Sequence, residues 1–420
     1  MPRTEINAHS DLQVNVASPP GWTFAPGDTV IGTVVRRSSI VAPEATVRIA
    51  LIGRVKTKVV VRNGNSCAVF RERKQLFSPT MTTQILFQGP LHIPPKQEHD
   101  SKNEMLSWPF SITIPTQSRE EVTFQPTVSS GHHSNGDRTL PGTFYSGGIS
   151  FYQSSEGFVE YYLEAQLRRE CSYKVLVSTY PITLGRFPGT DLLSYNIQEH
   201  TVDKIVCSQR LLPGMENADL TLKQKAQKFF GSSKLPNLHY KVKITWPGCV
   251  QLDNPNPFPF ILDVIPQQRK TSSGIQGVEH EIQLTCIKMC IKSKTELTAP
   301  TISAKRTVRR DNNSCSDLQI REALKDLKSP IIFSSEKENK PVDFGNMLQL
   351  VLHSNGLTTG KRHLSKIPVI HPSFSTTGIT HSHWWDIEVV LSVVGEIHKI
   401  LISSILEILP PREVDFWLRE

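Results

Sequence analysis

The sequence predicts an all-β protein of two consecutive β-sandwich domains joined by a short connecting helix. Apolar and polar residues alternate with period two in both halves, the spacing of strands with one buried face. The 29 prolines and 24 glycines punctuate these runs, as turns between short strands require. The length of 420 residues exceeds the roughly 100–200 of one domain, so two are expected.

The first strand lies in FAPGDTVIGTVV, Phe24 to Val35. Pro26 presets φ for a turn, and Gly27 can take the positive φ that reverses the chain into the strand. Gly32, in mid-strand, leaves room for a bulge or for close approach of a neighbouring backbone. In VRIALIGRVKTKVVVR, Val47, Ile49, Leu51, Gly53, Val55, Thr57, Val59 and Val61 share one face. Arg48, Arg54, Lys56, Lys58 and Arg62 take the other, a basic comb expected to face solvent. WPFSITIP gathers Trp108, Phe110, Ile112 and Ile114 and stops at Pro115. GFVEYYLEAQLRR sets Val159, Tyr161, Leu163, Ala165 and Leu167 against Glu160, Glu164, Gln166 and Arg168.

These elements place the first sandwich over 8–187, a connector over 188–235, the second sandwich over 236–411 and a short tail over 412–420. In the connector, Leu222, Ala226, Phe229 and Phe230 fall at helical spacing among Lys223, Lys225 and Lys228, and Gly231 is a natural cap. Such a basic amphipathic helix either packs on a sandwich or lies on an anionic membrane. In the second sandwich Tyr240, Val242, Ile244 and Trp246 alternate with Lys241, Lys243 and Thr245. Trp385, Ile387, Val389, Leu391 and Val393 alternate in the same way. Two polar stretches, 116–139 and 304–330, are expected to be flexible loops.

The net charge of +8 sits in one place. Residues 36–74 hold ten Lys/Arg against Glu44 and Glu72, and the remainder is neutral. That asymmetry speaks to anionic partners rather than to fold. Seven scattered cysteines suit thiols in a reducing compartment. The leading MPRTEINAHSDLQVNV has no apolar signal-peptide core, and no run approaches a membrane span, so a cytoplasmic protein is expected. No nucleophile elbow, phosphate-binding loop, dinucleotide fingerprint or zinc-protease motif occurs, so no enzyme, cofactor or metal is expected. His132 and His133 sit in a polar loop, and His381 and His383 precede a strand; all four are expected to be solvated. Asn256-Pro257-Phe258 enters a strand, which favours Phe258 or Phe260 packing in the core over an exposed endocytic ligand. The comb lacks interleaved aromatics, so nucleic acid is not an expected partner.

Several motifs then follow in a fixed order. Phe24-Ala25-Pro26-Gly27-Asp28-Thr29-Val30-Ile31-Gly32 comes first, then ATVRIALIGRV with Gly53, SWPFSITIP, Leu140-Pro141-Gly142-Thr143-Phe144-Tyr145 and GFVEYYLEAQLRR. FFGSSKLP, CVQLDNPNPFPFILDV, HPSFSTTGITHSHWWDIEVVLSVVGE and ILEILPP complete the set. Together, over about residues 10–411, they resemble the arrestin-fold family, in particular fungal α-arrestin-like proteins. The resemblance implies two arrestin-type, immunoglobulin-like sandwiches. It also implies a non-enzymatic cytosolic adaptor that binds cytosolic tails of membrane proteins for ubiquitin-dependent endocytosis and sorting, at the plasma membrane or endosomes. A HECT-type ubiquitin ligase is the implied partner. Yet PPGW, PPKQ and PPRE all lack the Tyr of a P-P-x-Y dock, so ligase recruitment by that mode is not expected. The alternative is a scaffold similar to the arrestin-fold subunit of the retromer coat. Either way, contacts are expected through strand edges and through cationic capture by Arg48, Arg54, Lys56, Lys58 and Arg62, with an anionic membrane surface as a further partner. Reversing three of those charges is expected to weaken binding to anionic liposomes and to leave the melting temperature nearly unchanged.

Overall fold

The computed structural model describes residues 3–6, 11–63, 66–94, 105–119, 139–150, 153–170, 172–185, 187, 191–216, 218, 235–301, 307–327, 329–360, 363–364 and 369–412. The first ten strands are β1 (Gln13–Val16), β2 (Thr23–Phe24), β3 (Thr29–Arg36), β4 (Ile40–Asn63), β5 (Ser66–Gln75), β6 (Thr83–Ile93), β7 (Leu106–Thr113), β8 (Phe144–Ser150), β9 (Gln153–Arg169) and β10 (Leu176–Leu184). One sheet has the order β1-β3-β7. The other runs β2-β10-β9-β4-β5, with β6 on the first part of the long β4 and β8 on β9. Val30, Val34, Phe110 and Ile112 of the small sheet meet Ile49, Leu51, Tyr161 and Leu163 of the large one, all buried.

The opening turn forms as its residues require. Gly27 has φ of 95°, and the Asp28 carboxylate accepts the Ala25 amide at 2.8 Å. A Cβ on Gly32 would stand 2.2 Å from the carbonyl oxygen of Asn15, so β1 pairs this closely only with glycine there. Leu140 and Phe144 are buried, the Pro141 carbonyl accepts the Tyr161 hydroxyl at 2.6 Å, and Gly53 lies against the stacked Phe77 and Tyr161 rings.

The second sandwich comprises β11 (Ile197–Cys207), β12 (Asn237–Pro247), β13 (Cys249–Gln251), β14 (Ile261–Pro266), β15 (Glu281–Pro300), β16 (Thr307–Asp317), β17 (Ile332–Ser334), β18 (Val342–Asp343), β19 (Val351–His353), β20 (Gly356–Thr358), β21 (Phe374–Ser375), β22 (Ile379–Val393) and β23 (Glu396–Leu409). The sheet β11-β12-β14-β18 packs on the sheet β13-β23-β22-β15-β16, to which β17 and β21 add; β19 and β20 pair with each other. Tyr240, Val242, Ile244, Trp246, Trp385, Ile387, Val389, Leu391 and Val393 are all buried between them. Phe258 and Phe260 are both core residues, as the strand-entry reading of Asn256-Pro257-Phe258 expects.

Part of the stretch 304–330 is not a loop. Thr307–Asp317 is β16, paired along β15, and α1 (Ile320–Lys325) follows; α2 (Phe344–Leu348) is a second short helix that the sequence did not announce. The strand escapes an apolar-alternation reading because ion pairs tie it to β15. Lys294 meets Asp311 at 3.0 Å, and Arg309 meets Glu296. Most of 116–139, the stretch expected as a helix with Lys223, Lys225, Lys228, Phe229 and Phe230, and the tail beyond Arg412 lie outside the described residues. Among the described residues no helix is long and apolar enough to cross a membrane.

The two sandwiches share a seam. Leu297, Phe374 and Ile379 of the second join the hydrophobic core of the first. The Thr57 hydroxyl donates to the Thr298 carbonyl at 2.7 Å, and Asn312 bonds Ser146 and Ser155.

Candidate functional site

The basic segment folds into β4 and β5, and β5 ends the sheet order, so its outer edge is open among the described residues. The comb divides into three parts. Arg48 is exposed and donates twice to the Gln166 side-chain oxygen, at 3.0 and 2.6 Å; Arg62 is exposed as well. Lys58 is half-buried, 3.9 Å from Glu156. Arg54 and Lys56 do not face solvent: they are only 8% and 6% exposed. Both reach Glu160, Arg54 at 2.7 Å and Lys56 at 2.6 Å. Arg54 also lies 4.6 Å over the Tyr162 ring. The period-two reading put these residues on the correct face but not in the correct environment, because the face itself is partly covered by Arg3–Ile6. Charges taken out of water need such partners.

The pKa shifts follow from this arrangement. Burial pulls Lys56 below its usual value despite Glu160. Burial pushes Glu160 up, but hydrogen bonds from Lys56, the Thr4 amide and Arg54 outweigh it and hold the carboxyl below the ordinary carboxylate value. Reversing Arg54 or Lys56 would therefore break a buried cluster, and the expectation of an unchanged melting temperature fails for these two.

The strand register shows what the comb alone did not. On β5, Arg73 stands directly opposite Lys56, and Arg71 opposite Lys58. Like charges directly opposite across a sheet are destabilising. Glu160 and Glu156 compensate the β4 members, whereas Arg71 and Arg73 are exposed at the open edge. The signal for these residues lay in the charge excess of 36–74, which extends past the comb into β5.

The histidines are a second departure. His381 and His383 lie within β22 and are buried, not solvated. His383 Nε2–H donates to the His371 carbonyl at 2.9 Å, which leaves Nδ1 to accept from the Ser293 hydroxyl at 2.9 Å. His381 Nδ1 pairs with the Thr295 hydroxyl at 2.8 Å. Their rings are 4.5 Å apart, and Phe144 reaches across the seam to His371, His381 and Phe374, each at 4.9 Å. Burial drives His383 down to about 3 and His381 well below its ordinary value. Neutral imidazoles thus help to build the seam. Among the described residues no group of His, Cys, Asp and Glu could hold a metal ion. His132 and His133 lie outside the described residues.

No protein-family model matches the chain, and no curated protein matches it either.

Proposed function

We propose that the chain is a non-enzymatic adaptor that captures an acidic or phosphorylated extended segment along the open edge of β5. The observation that carries this reading is the pair of like-charge oppositions, Lys56/Arg73 and Lys58/Arg71, on a strand that ends its sheet order among the described residues. A bound strand would pair along the outer edge of β5, and its anionic side chains would accept charge-assisted hydrogen bonds from Arg71 and Arg73. In keeping with the arrestin-like resemblance, the segment would belong to the cytosolic tail of a membrane protein, and the adaptor would act in endocytosis or sorting. Edge cations also serve to block self-pairing of sheets, so the test must separate the two roles. In fluorescence anisotropy, an acidic peptide should bind the full chain, and Arg71→Glu/Arg73→Glu should weaken it by about tenfold or more, as for lost charge-assisted contacts. Equal affinity of the variant, or equal binding of a neutral peptide of the same length, would refute the reading.

A further inference from the structure

The covered face beside the comb is itself built like a binding site. Residues Arg3–Ile6 cross the outer side of the large sheet of the first sandwich, and four of the groups they present meet matched partners. The Arg3 guanidinium lies 3.7 Å over the Tyr145 ring and 5.6 Å over Phe158, whose rings are 5.1 Å apart. The Thr4 amide donates to Glu160 Oε2 at 2.9 Å, and the Thr4 hydroxyl accepts from Arg54 Nη2 at 2.9 Å. One residue on, the Glu5 carbonyl accepts from the Thr179 hydroxyl at 2.8 Å. These contacts come from β4, β8, β9 and β10 together. They read a cation, a main-chain amide, a hydroxyl and a carbonyl in order along the chain. Glu160 and Arg54 are both less than a tenth exposed, and each gives an atom to this segment while bonding the other. A mere overlay needs no such sequence of matched groups.

We infer that this face is a peptide-docking groove selective for a basic residue followed by a hydroxyl residue, and that the chain's own Arg3-Thr4 occupies it in cis. The aromatic pair selects the cation, since a guanidinium is attracted to ring faces. Arg54, fixed by Glu160, selects the hydroxyl. A partner carrying Arg-Thr in an extended, flexible segment enters the groove when the cis segment leaves. The groove is distinct from the edge of β5 and asks for the opposite ligand charge, so failure of one reading leaves the other standing.

The probe is a labelled, N-acetylated peptide of residues 1–8, MPRTEINA. The full chain carrying Arg3→Ala/Thr4→Ala keeps its fold but loses its cis competitor. It should bind the peptide about tenfold more tightly than the unsubstituted chain, because a competing cis occupant lowers apparent affinity by the fraction of open grooves. Replacing Arg3 or Thr4 by Ala in the peptide should abolish that gain. Tyr145→Ala, at a partly exposed position, should also abolish it without unfolding the protein. Equal affinity of both chains, indifference to the peptide's Arg or Thr, or indifference to Tyr145→Ala would each overturn the inference.

Discussion

Glu160 receives Arg54, Lys56 and the Thr4 amide on one carboxylate, and removing its charge strands two buried cations. Breaking such a pair costs about 3–5 kcal/mol, so Glu160→Gln should lower stability by roughly 3 kcal/mol in urea unfolding. Arg62→Glu, at an exposed comb position, should stay within about 0.5 kcal/mol of the parent in the same experiment. If the two substitutions cost the same, the comb is uniformly solvated and the cluster is unimportant. The residue scale also marks what the sequence made legible. Alternation placed Arg54 and Glu160 opposite the core correctly. It carried no information on what lies across that outer face, because Thr4 joins it from 50 residues before Arg54 and 156 before Glu160, in a segment with no periodicity of its own.

At the scale of elements, β5 and β16, each last in its sheet order among the described residues, differ in how their charges are satisfied. β16 pairs its charges across the ladder with β15, Arg309 to Glu296 and Asp311 to Lys294. β5 sets cations against cations. Reversal of Arg71 and Arg73 should therefore leave the melting temperature unchanged or raise it, since it replaces like-charge oppositions by attractive ones. A clear fall in thermal unfolding would mean that these arginines stabilise the fold and would remove the case for a recruiting role. The central strands were legible because their apolar residues alternate: β9, β12 and β22 bury the residues their spacing predicts. β16 was not, because a strand at an edge held by ion pairs is polar on both faces and reads as a loop. The histidines of β22 fall at the same period as its buried tryptophan, yet their polarity suggested solvent; the seam beneath Phe144 and Phe374 became apparent only once the two sandwiches were placed together.

At the scale of the whole molecule, the seam holds histidines that burial keeps neutral, so stability is predicted to depend on pH. His381 and His383 ordinarily take up a proton near 6.5 but are neutral in the fold, with His383 held down to about 3. A depressed folded value places the full stability above about pH 6.5 and removes it progressively as pH falls toward 3. Lys294 and Glu296, which line the adjoining cavity, are each already paired, to Asp311 and Arg309. Between pH 7.5 and 5 His383 should cost about 2 kcal/mol of unfolding free energy, with His381 acting in the same direction, and His381→Asn/His383→Asn should flatten that slope. An unchanged slope would show that the seam histidines are not the titrating groups. The proposed adaptor role rests on the cationic edge of β5. Hydrogen–deuterium exchange of the full chain with and without an acidic peptide tests that claim most directly. Slowed exchange across Ser66–Gln75 is expected on peptide addition, as a bound strand pairs along the outer edge of β5. Saturating peptide with no change in that strand, or protection confined to other elements, would contradict it.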